Sequence, residues 1–133
     1  MRHGELPSVA GGGAEGCRSH GLPPLLLLGT AQLGLPYGIV RTASPAESDA
    51  AALAVLKEAA AAGFGGVDTA LAYGAAPRRV GDFFGKNPEL GAWVVCTKLM
   101  AGDGGSDLAG LWARHMGDLG RTSVFALLLH RSH

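Results

Sequence analysis

The chain has 133 residues and a mass of 13.5 kDa, which is the size of one ordinary domain. Its 11 basic and 11 acidic residues give a formal net charge of zero, so no charge imbalance indicates a nucleic acid or a membrane surface as partner. Two cysteines are too few for a disulfide framework, and no apolar run approaches the ~20 residues of a membrane span. Because the N-terminus also lacks the pattern of a signal peptide, we expect a cytoplasmic protein that binds neither nucleic acid nor membrane.

Residues 1 to 22 are rich in glycine and polar residues and show no hydrophobic periodicity. Such a segment cannot bury enough apolar surface to offset its ordering entropy, so we predict a disordered N-terminal tail. Within it, residues 11 to 16 match the G-x-G-x-x-G pattern of dinucleotide-binding loops. That loop requires a strand before it and a helix after it, and the sequence predicts neither, so we reject the match. The remaining residues, 23 to 133, are predicted to form one domain.

From Leu25 onward, apolar segments alternate with helical ones. Short runs rich in β-forming residues predict four strands, at residues 25–31, 64–71, 92–99 and 123–130. The connections between them are too long for hairpins, which implies a parallel sheet with right-handed crossovers. An open doubly wound sheet and a (β/α)₈ barrel both begin in this way.

Three helices are predicted between these strands. The first has a strong start signal, because Ser44 is a candidate N-cap, Pro45 suits the first helical position and Glu47 completes a capping box. Gly63 is its expected stop. A short helix is predicted at residues 77–84, and a third is predicted to begin at a Ser106 cap and to end at Gly120.

Four chemically active side chains lie at the ends of the predicted strands or in the loops just after them. They are Asp68, Tyr73, Lys98 and His130. In a (β/α)₈ barrel the active site lies at the C-terminal ends of the strands, so this placement favours the barrel over the open sheet. An acid, a phenol, an ammonium and an imidazole at successive strand ends suit the reduction of a carbonyl group.

The chemistry depends on the four groups acting together. A free phenol has a pKa of about 10, and a nearby ammonium group favours the phenolate. Lys98 is the candidate cation for Tyr73, and Asp68 could offset the cost of burying that lysine. His130 could then donate a hydrogen bond to the substrate's carbonyl oxygen. Taken singly, each residue has an ordinary structural role, such as a turn cap, a solvated strand end or a buried histidine.

The segment from Asp68 to Gly74 resembles the Asp-Thr-Ala-x-x-Tyr-Gly motif of the aldo-keto reductases. Other stretches agree with that family in order and spacing over about residues 25 to 131. They are Leu28 to Gly34 with Tyr37-Gly38, Thr97-Lys98, Leu119-Gly120, and Leu127 to Arg131.

The resemblance implies a fold, a reaction and a set of roles. The fold is the N-terminal half, about four βα units, of a (β/α)₈ TIM barrel, and the reaction is the NADPH-dependent reduction of an aldehyde or ketone to an alcohol. Tyr73 is then the proton donor, Lys98 and Asp68 its tuning pair, and His130 the residue that orients the substrate. Asp68 and the backbone of Gly29, Thr30 and Ala31 are expected to approach the nicotinamide. Two histidines near the C-terminus, His130 and His133, are too weak a pattern to predict a metal site.

A complete barrel has eight strands and typically ~250 residues, so the chain is expected to be a truncated fragment that ends after strand 4. A half-barrel has two open sheet edges, which leads us to expect self-association and little activity of the isolated chain. One alternative is a non-catalytic interaction or regulatory protein built on the same half-barrel. Another is an unrelated α/β barrel in which the four residues coincide by chance.

Overall fold

The computed structural model describes residues 26–35, 44–100, 102–103 and 105–130. The predicted disordered tail, the Tyr37-Gly38 pair and His133 lie outside these residues. Four strands and three α-helices alternate along the described part of the chain. The strands are β1 (Leu27–Gly29), β2 (Gly66–Asp68), β3 (Val94–Met100) and β4 (Ala126–His130). The helices are α1 (Pro45–Ala61), α2 (Ala76–Lys86) and α3 (Leu108–Leu119), and short 3₁₀ turns span Ala31–Leu33 and Pro88–Ala92.

The four strands form one parallel sheet in the order β1-β2-β3-β4. The predicted parallel α/β architecture is therefore confirmed. An open doubly wound sheet reverses its strand order at a switch point, whereas this order proceeds in one direction, as it does around a barrel. Helix α2 contacts both α1 and α3, so the helices lie side by side in a single layer.

The hydrophobic core lies between this helix layer and one face of the sheet. Its fully buried side chains come from the three helices and from β2, and they include Leu56, Val67, Val80, Phe83 and Leu119. The Phe83, Phe84 and Trp93 rings pack against one another with centroids 6.0 to 6.2 Å apart. Because side chains alternate across a strand, the residues that follow the core positions of β2 and β3 face the opposite side of the sheet.

The helix signals of the sequence are borne out at α1. The Ser44 side chain accepts a hydrogen bond from the Glu47 N–H at 3.3 Å, and the Ser44 N–H donates to Glu47 Oε2 at 2.8 Å, which completes the capping box. Gly63, just past the helix, has φ +85°. At α3 the predicted cap was wrong: Asp107, not Ser106, caps the helix, and its carboxylate accepts from the Gly110 N–H at 3.0 Å. Both residue types are good caps, and their adjacency leaves the choice to the geometry of the loop.

Replacing Ser44 with alanine is expected to lower the free energy of unfolding by about 1 kcal/mol, because the Glu47 N–H loses its partner at an exposed helix start. Urea denaturation of both proteins measures the loss. Ser48→Ala, inside the same helix, is the control and should be neutral or slightly stabilising. Equal stability of Ser44→Ala and the parent protein would contradict this role for Ser44.

Candidate active site

Asp68 and Lys98 form an ion pair at the C-terminal ends of adjacent strands. Lys98 Nζ donates to Asp68 Oδ1 at 2.5 Å and to the Thr69 carbonyl oxygen at 3.3 Å. The Lys98 side chain is only 15% exposed and that of Asp68 is 37% exposed. A lysine so withdrawn from water needs a partner charge, and Asp68 provides it.

The loop after β2 brings Tyr73 to the same place. Lys98 Nζ lies 5.6 Å from the centroid of the half-buried Tyr73 ring, within the range of a cation–π contact. The loop stays attached to β3, because the Thr69 N–H donates to the Cys96 carbonyl at 2.9 Å and the Leu71 N–H to the Lys98 carbonyl at 3.1 Å. The structure thus brings together three of the four predicted residues.

His130 occupies the last position of β4. Its backbone is paired with Met100, in the strand that carries Lys98. The His130 side chain lies outside the described part of the structure, so its role in orienting a substrate stays a prediction.

The end of β1 borders Asp68 on the other side. Gly29 pairs with Asp68, and a Cβ built at Gly29 would meet no atom within 4 Å, so the space beside it is open. Thr30 is fully buried, and both its N–H and its hydroxyl donate to the Asp68 carbonyl oxygen, at 3.0 and 3.2 Å. Ala31 begins the following 3₁₀ turn. The predicted cofactor-binding residues therefore lie next to the predicted catalytic pair.

Sequence reasoning missed a buried polar pair behind Lys98. The Thr97 hydroxyl lies 2.7 Å from His115 Nε2 of α3, and both residues are fully buried on the helix side of the sheet. Burial lowers the pKa of His115, and the charge of Asp118 opposes this effect only in part. The signal available in the sequence was a histidine on the apolar side of α3, beside Trp112 and Met116.

His115 is expected to make the stability of the fold depend on pH. Because its pKa is lower in the folded than in the unfolded state, the unfolded state binds the proton more tightly. Its contribution is complete above the unfolded pKa, near 6.5, and is lost as the pH falls below that value. Urea titrations between about pH 7 and pH 5 should show a smaller decline for His115→Gln than for the parent protein. Parallel declines would contradict the assignment.

The cavities of the helix layer do not coincide with this site. One of about 200 Å³ opens between α1 and α2 and is lined by residues such as Asp49, Leu53 and Arg79. The candidate site instead lies at the strand ends, on the sheet face away from the helices. Within the described residues, no three histidine, cysteine or acidic side chains are grouped so that they could hold a metal ion. None of the described helices is both long and apolar enough to cross a bilayer.

No protein-family model matches the chain, and no curated protein matches it. Several solved structures do match the chain. A protein described as an aldo-keto reductase from Pseudomonas aeruginosa is 27% identical, with a TM-score of 0.57 over 79% of this chain and 42% of that one. A thermostable aldo-keto reductase in complex with the inhibitor epalrestat is 23% identical, with a TM-score of 0.64 over 80% of this chain and 38% of that one. An aldo-keto reductase from Klebsiella pneumoniae in complex with NADPH is 19% identical, with a TM-score of 0.60 over 83% of this chain and 36% of that one.

These similarities confirm the resemblance to the aldo-keto reductases. The parallel α/β structure corresponds to part of the barrel of those proteins, and the chain spans between 36% and 42% of the length of the solved structures that it matches.

Proposed function

We propose that the chain is part of an NADPH-dependent aldo-keto reductase, an oxidoreductase that reduces an aldehyde or ketone to an alcohol. The observation that carries this proposal is the Asp68–Lys98 ion pair with its ammonium 5.6 Å from the Tyr73 ring, at the C-terminal ends of adjacent parallel strands. A phenol beside a held cation can donate a proton to a developing alkoxide. The similarity to solved aldo-keto reductases supports the same chemistry.

Each side chain has one role in this proposal. The Tyr73 hydroxyl donates its proton to the carbonyl oxygen of the substrate, and the Lys98 ammonium stabilises the phenolate that remains. Asp68 holds Lys98 in place through the 2.5 Å hydrogen bond. His130 donates a hydrogen bond to the same carbonyl oxygen and so orients the substrate.

The end of β1 fits a nicotinamide. The open space at Gly29 adjoins Asp68, and glycine places no side chain in it. The two hydrogen bonds that Thr30 donates to the Asp68 carbonyl oxygen hold the backbone in position beside this space. We assign the contact to Gly29, Thr30, Ala31 and Asp68. When bound, the nicotinamide supplies the hydride, which no side chain can provide. The choice of NADPH rests on the resemblance and on the neighbour from Klebsiella pneumoniae solved with it.

A second candidate is a non-catalytic interaction protein. Four large apolar residues in or just before β4 are strongly exposed: Phe125 at 70%, Leu127 at 50%, Leu128 at 47% and Leu129 at 69%. A patch of this kind is typical of a surface that another chain covers, a second copy of this one included. Such a role requires no proton donor, so binding through this patch would be unaffected by the loss of the Tyr73 hydroxyl.

The test uses the native polypeptide, and its intact mass is measured first. A complete barrel with insertions is expected to have a mass of about 30–35 kDa. These residues alone have a mass of 13.5 kDa. We expect little activity from the 133 residues by themselves. The purified native protein is then titrated with NADPH by nicotinamide fluorescence and assayed with a panel of aldehydes and ketones. Carbonyl-dependent NADPH oxidation with an equal yield of alcohol supports the proposal. Absence of both binding and turnover contradicts it, and binding to a protein partner without turnover favours the second candidate.

A further inference from the structure

The turn after β1 and the loop that carries Tyr73 touch through their backbones. A Cβ built at Gly34 would overlap the Tyr73 carbonyl oxygen and would lie 2.5 Å from the Ala76 nitrogen. From the other side, a Cβ at Gly74 would lie 2.6 Å from the Gly34 carbonyl oxygen. The φ of Gly34 is −135°, which is not in the left-handed region that favours glycine. Glycine is therefore required at position 34 by the lack of space and not by a left-handed backbone.

The turn that contains Gly34 is anchored on its far side. Arg79 Nη1 donates to the Leu33 carbonyl oxygen, and Arg79 Nε donates to Asp49 Oδ1 at 2.5 Å. The Arg79 side chain is only 12% exposed, and Leu33 is buried in the core. The turn cannot retreat from an added methyl group without breaking these contacts.

The Tyr73 loop is held less firmly than the turn, because its backbone hydrogen bonds to β3 end at Leu71 and those at Tyr73 itself are local. Ala72 and Gly74 are exposed, and Tyr73 is only half-buried. One local hydrogen bond from the Ala76 N–H to the Tyr73 carbonyl closes the loop on the side that faces Gly34. A methyl group at position 34 would overlap the Tyr73 carbonyl oxygen most deeply, so we expect it to displace the Tyr73 loop and the adjoining start of α2 and to leave the turn in place.

We propose that Gly34 is a positioning residue, which sets the distance between the Tyr73 phenol and the Lys98 ammonium by admitting the Tyr73 backbone against the β1 turn. This inference rests on the proposed role of Tyr73 as proton donor. The placement of the Tyr73 side chain by a glycine that is remote in sequence can nevertheless be measured in a protein that shows no enzymatic activity.

Gly34→Ala is compared with Gly81→Ala in the full chain. A Cβ at Gly81 would overlap the Asp118 carbonyl oxygen where α2 meets α3, so both variants introduce a backbone clash and both should lose stability. Only Gly34→Ala is expected to lose the nuclear Overhauser cross-peak between the Tyr73 ring protons and the Lys98 side-chain methylenes. Tyrosine-selective labelling simplifies the assignment, because the chain has two tyrosines. A cross-peak that persists in folded Gly34→Ala, or that disappears equally in Gly81→Ala, overturns the proposal.

A second pair of variants decides the matter if Gly34→Ala does not fold. Arg79→Met releases the Leu33 carbonyl without adding volume beside Tyr73, whereas Arg78→Met removes a neighbouring cation that also binds Asp49 but does not reach Leu33. We expect the cross-peak to weaken in Arg79→Met and to persist in Arg78→Met. Equal cross-peaks in the two variants overturn the proposal.

Kinetics separate this inference from the proposed function. In a protein preparation that reduces a carbonyl, Gly34→Ala should lower kcat about 10²-fold with little change in KM, as expected for a misplacement of about 1 Å. An unchanged kcat contradicts the positioning role. If the parent protein reduces no carbonyl, the proposed function fails, and the cross-peak comparison still decides whether Gly34 positions Tyr73.

Discussion

Replacing Tyr73 with phenylalanine is expected to lower kcat for carbonyl reduction by about 10²–10⁴-fold, the contribution typical of a positioned general acid. The substitution removes the proton that the alkoxide must receive and keeps the ring against Lys98. Affinity for NADPH, measured by fluorescence titration, should stay the same, because the hydroxyl is not among the groups assigned to the nicotinamide. An unchanged NADPH affinity would therefore show that the variant is folded. A variant that keeps the parent kcat would show that the proton comes from elsewhere.

The second large effect is expected at Lys98. Lys98→Met removes the cation beside the phenol and leaves the Asp68 carboxylate without its partner, so kcat should fall about 10²–10³-fold, as when one preorganised electrostatic group is lost. The effect should appear in kcat more than in KM, because the ammonium acts on the proton donor and not on the bound substrate.

Arg121→Met is the matched control for Lys98→Met. Arg121 is also a half-buried cation, but it stacks on Phe84 and donates to the carbonyls of Leu90 and Gly91, which precede β3 at the end of the sheet opposite to the site. We expect this variant to lose stability and to keep its kcat. Equal kcat losses in Lys98→Met and Arg121→Met would mean that Lys98 acts only through the stability of the fold.

The element order could be predicted from the sequence because its signals are local. The capping box at Ser44 and the stop at Gly120, which has φ +60°, are short-range features that the fold keeps. Strand limits were predicted less well. The second strand was expected over residues 64–71 and spans Gly66–Asp68, because its partner β1 pairs with only three residues and the chain then turns toward Tyr73. An apolar run indicates burial, and it does not say where pairing ends.

The position of the candidate site could be predicted from the strand order, but its detailed side-chain contacts could not. Parallel strands end at one edge of a sheet, which is why Asp68 and Lys98, 30 residues apart, could be expected to lie close together. The strand order indicated no role for Thr97 or Gly34, and His115 was indicated only by its place on the apolar side of α3. A glycine that is needed for space looks like any turn glycine in a sequence, and the contact that distinguishes Gly34 comes from a loop about 40 residues away. The orientation of His130 and the self-association of the chain stay predictions.

The most direct test of the proposed function measures, in one experiment, the transfer of hydride from NADPH and its dependence on the Tyr73 hydroxyl. The native protein and its Tyr73→Phe variant are incubated with an aldehyde and NADPH in which both hydrogens at C4 of the nicotinamide are replaced by deuterium, and the alcohol is analysed by mass spectrometry. We expect one deuterium on the carbinol carbon with the native protein, and a rate of labelled product that falls about 10²–10⁴-fold in the variant. Unlabelled product, or equal rates of labelling in the two proteins, would contradict the assignment of carbonyl reduction to Tyr73 and its Asp68–Lys98 pair.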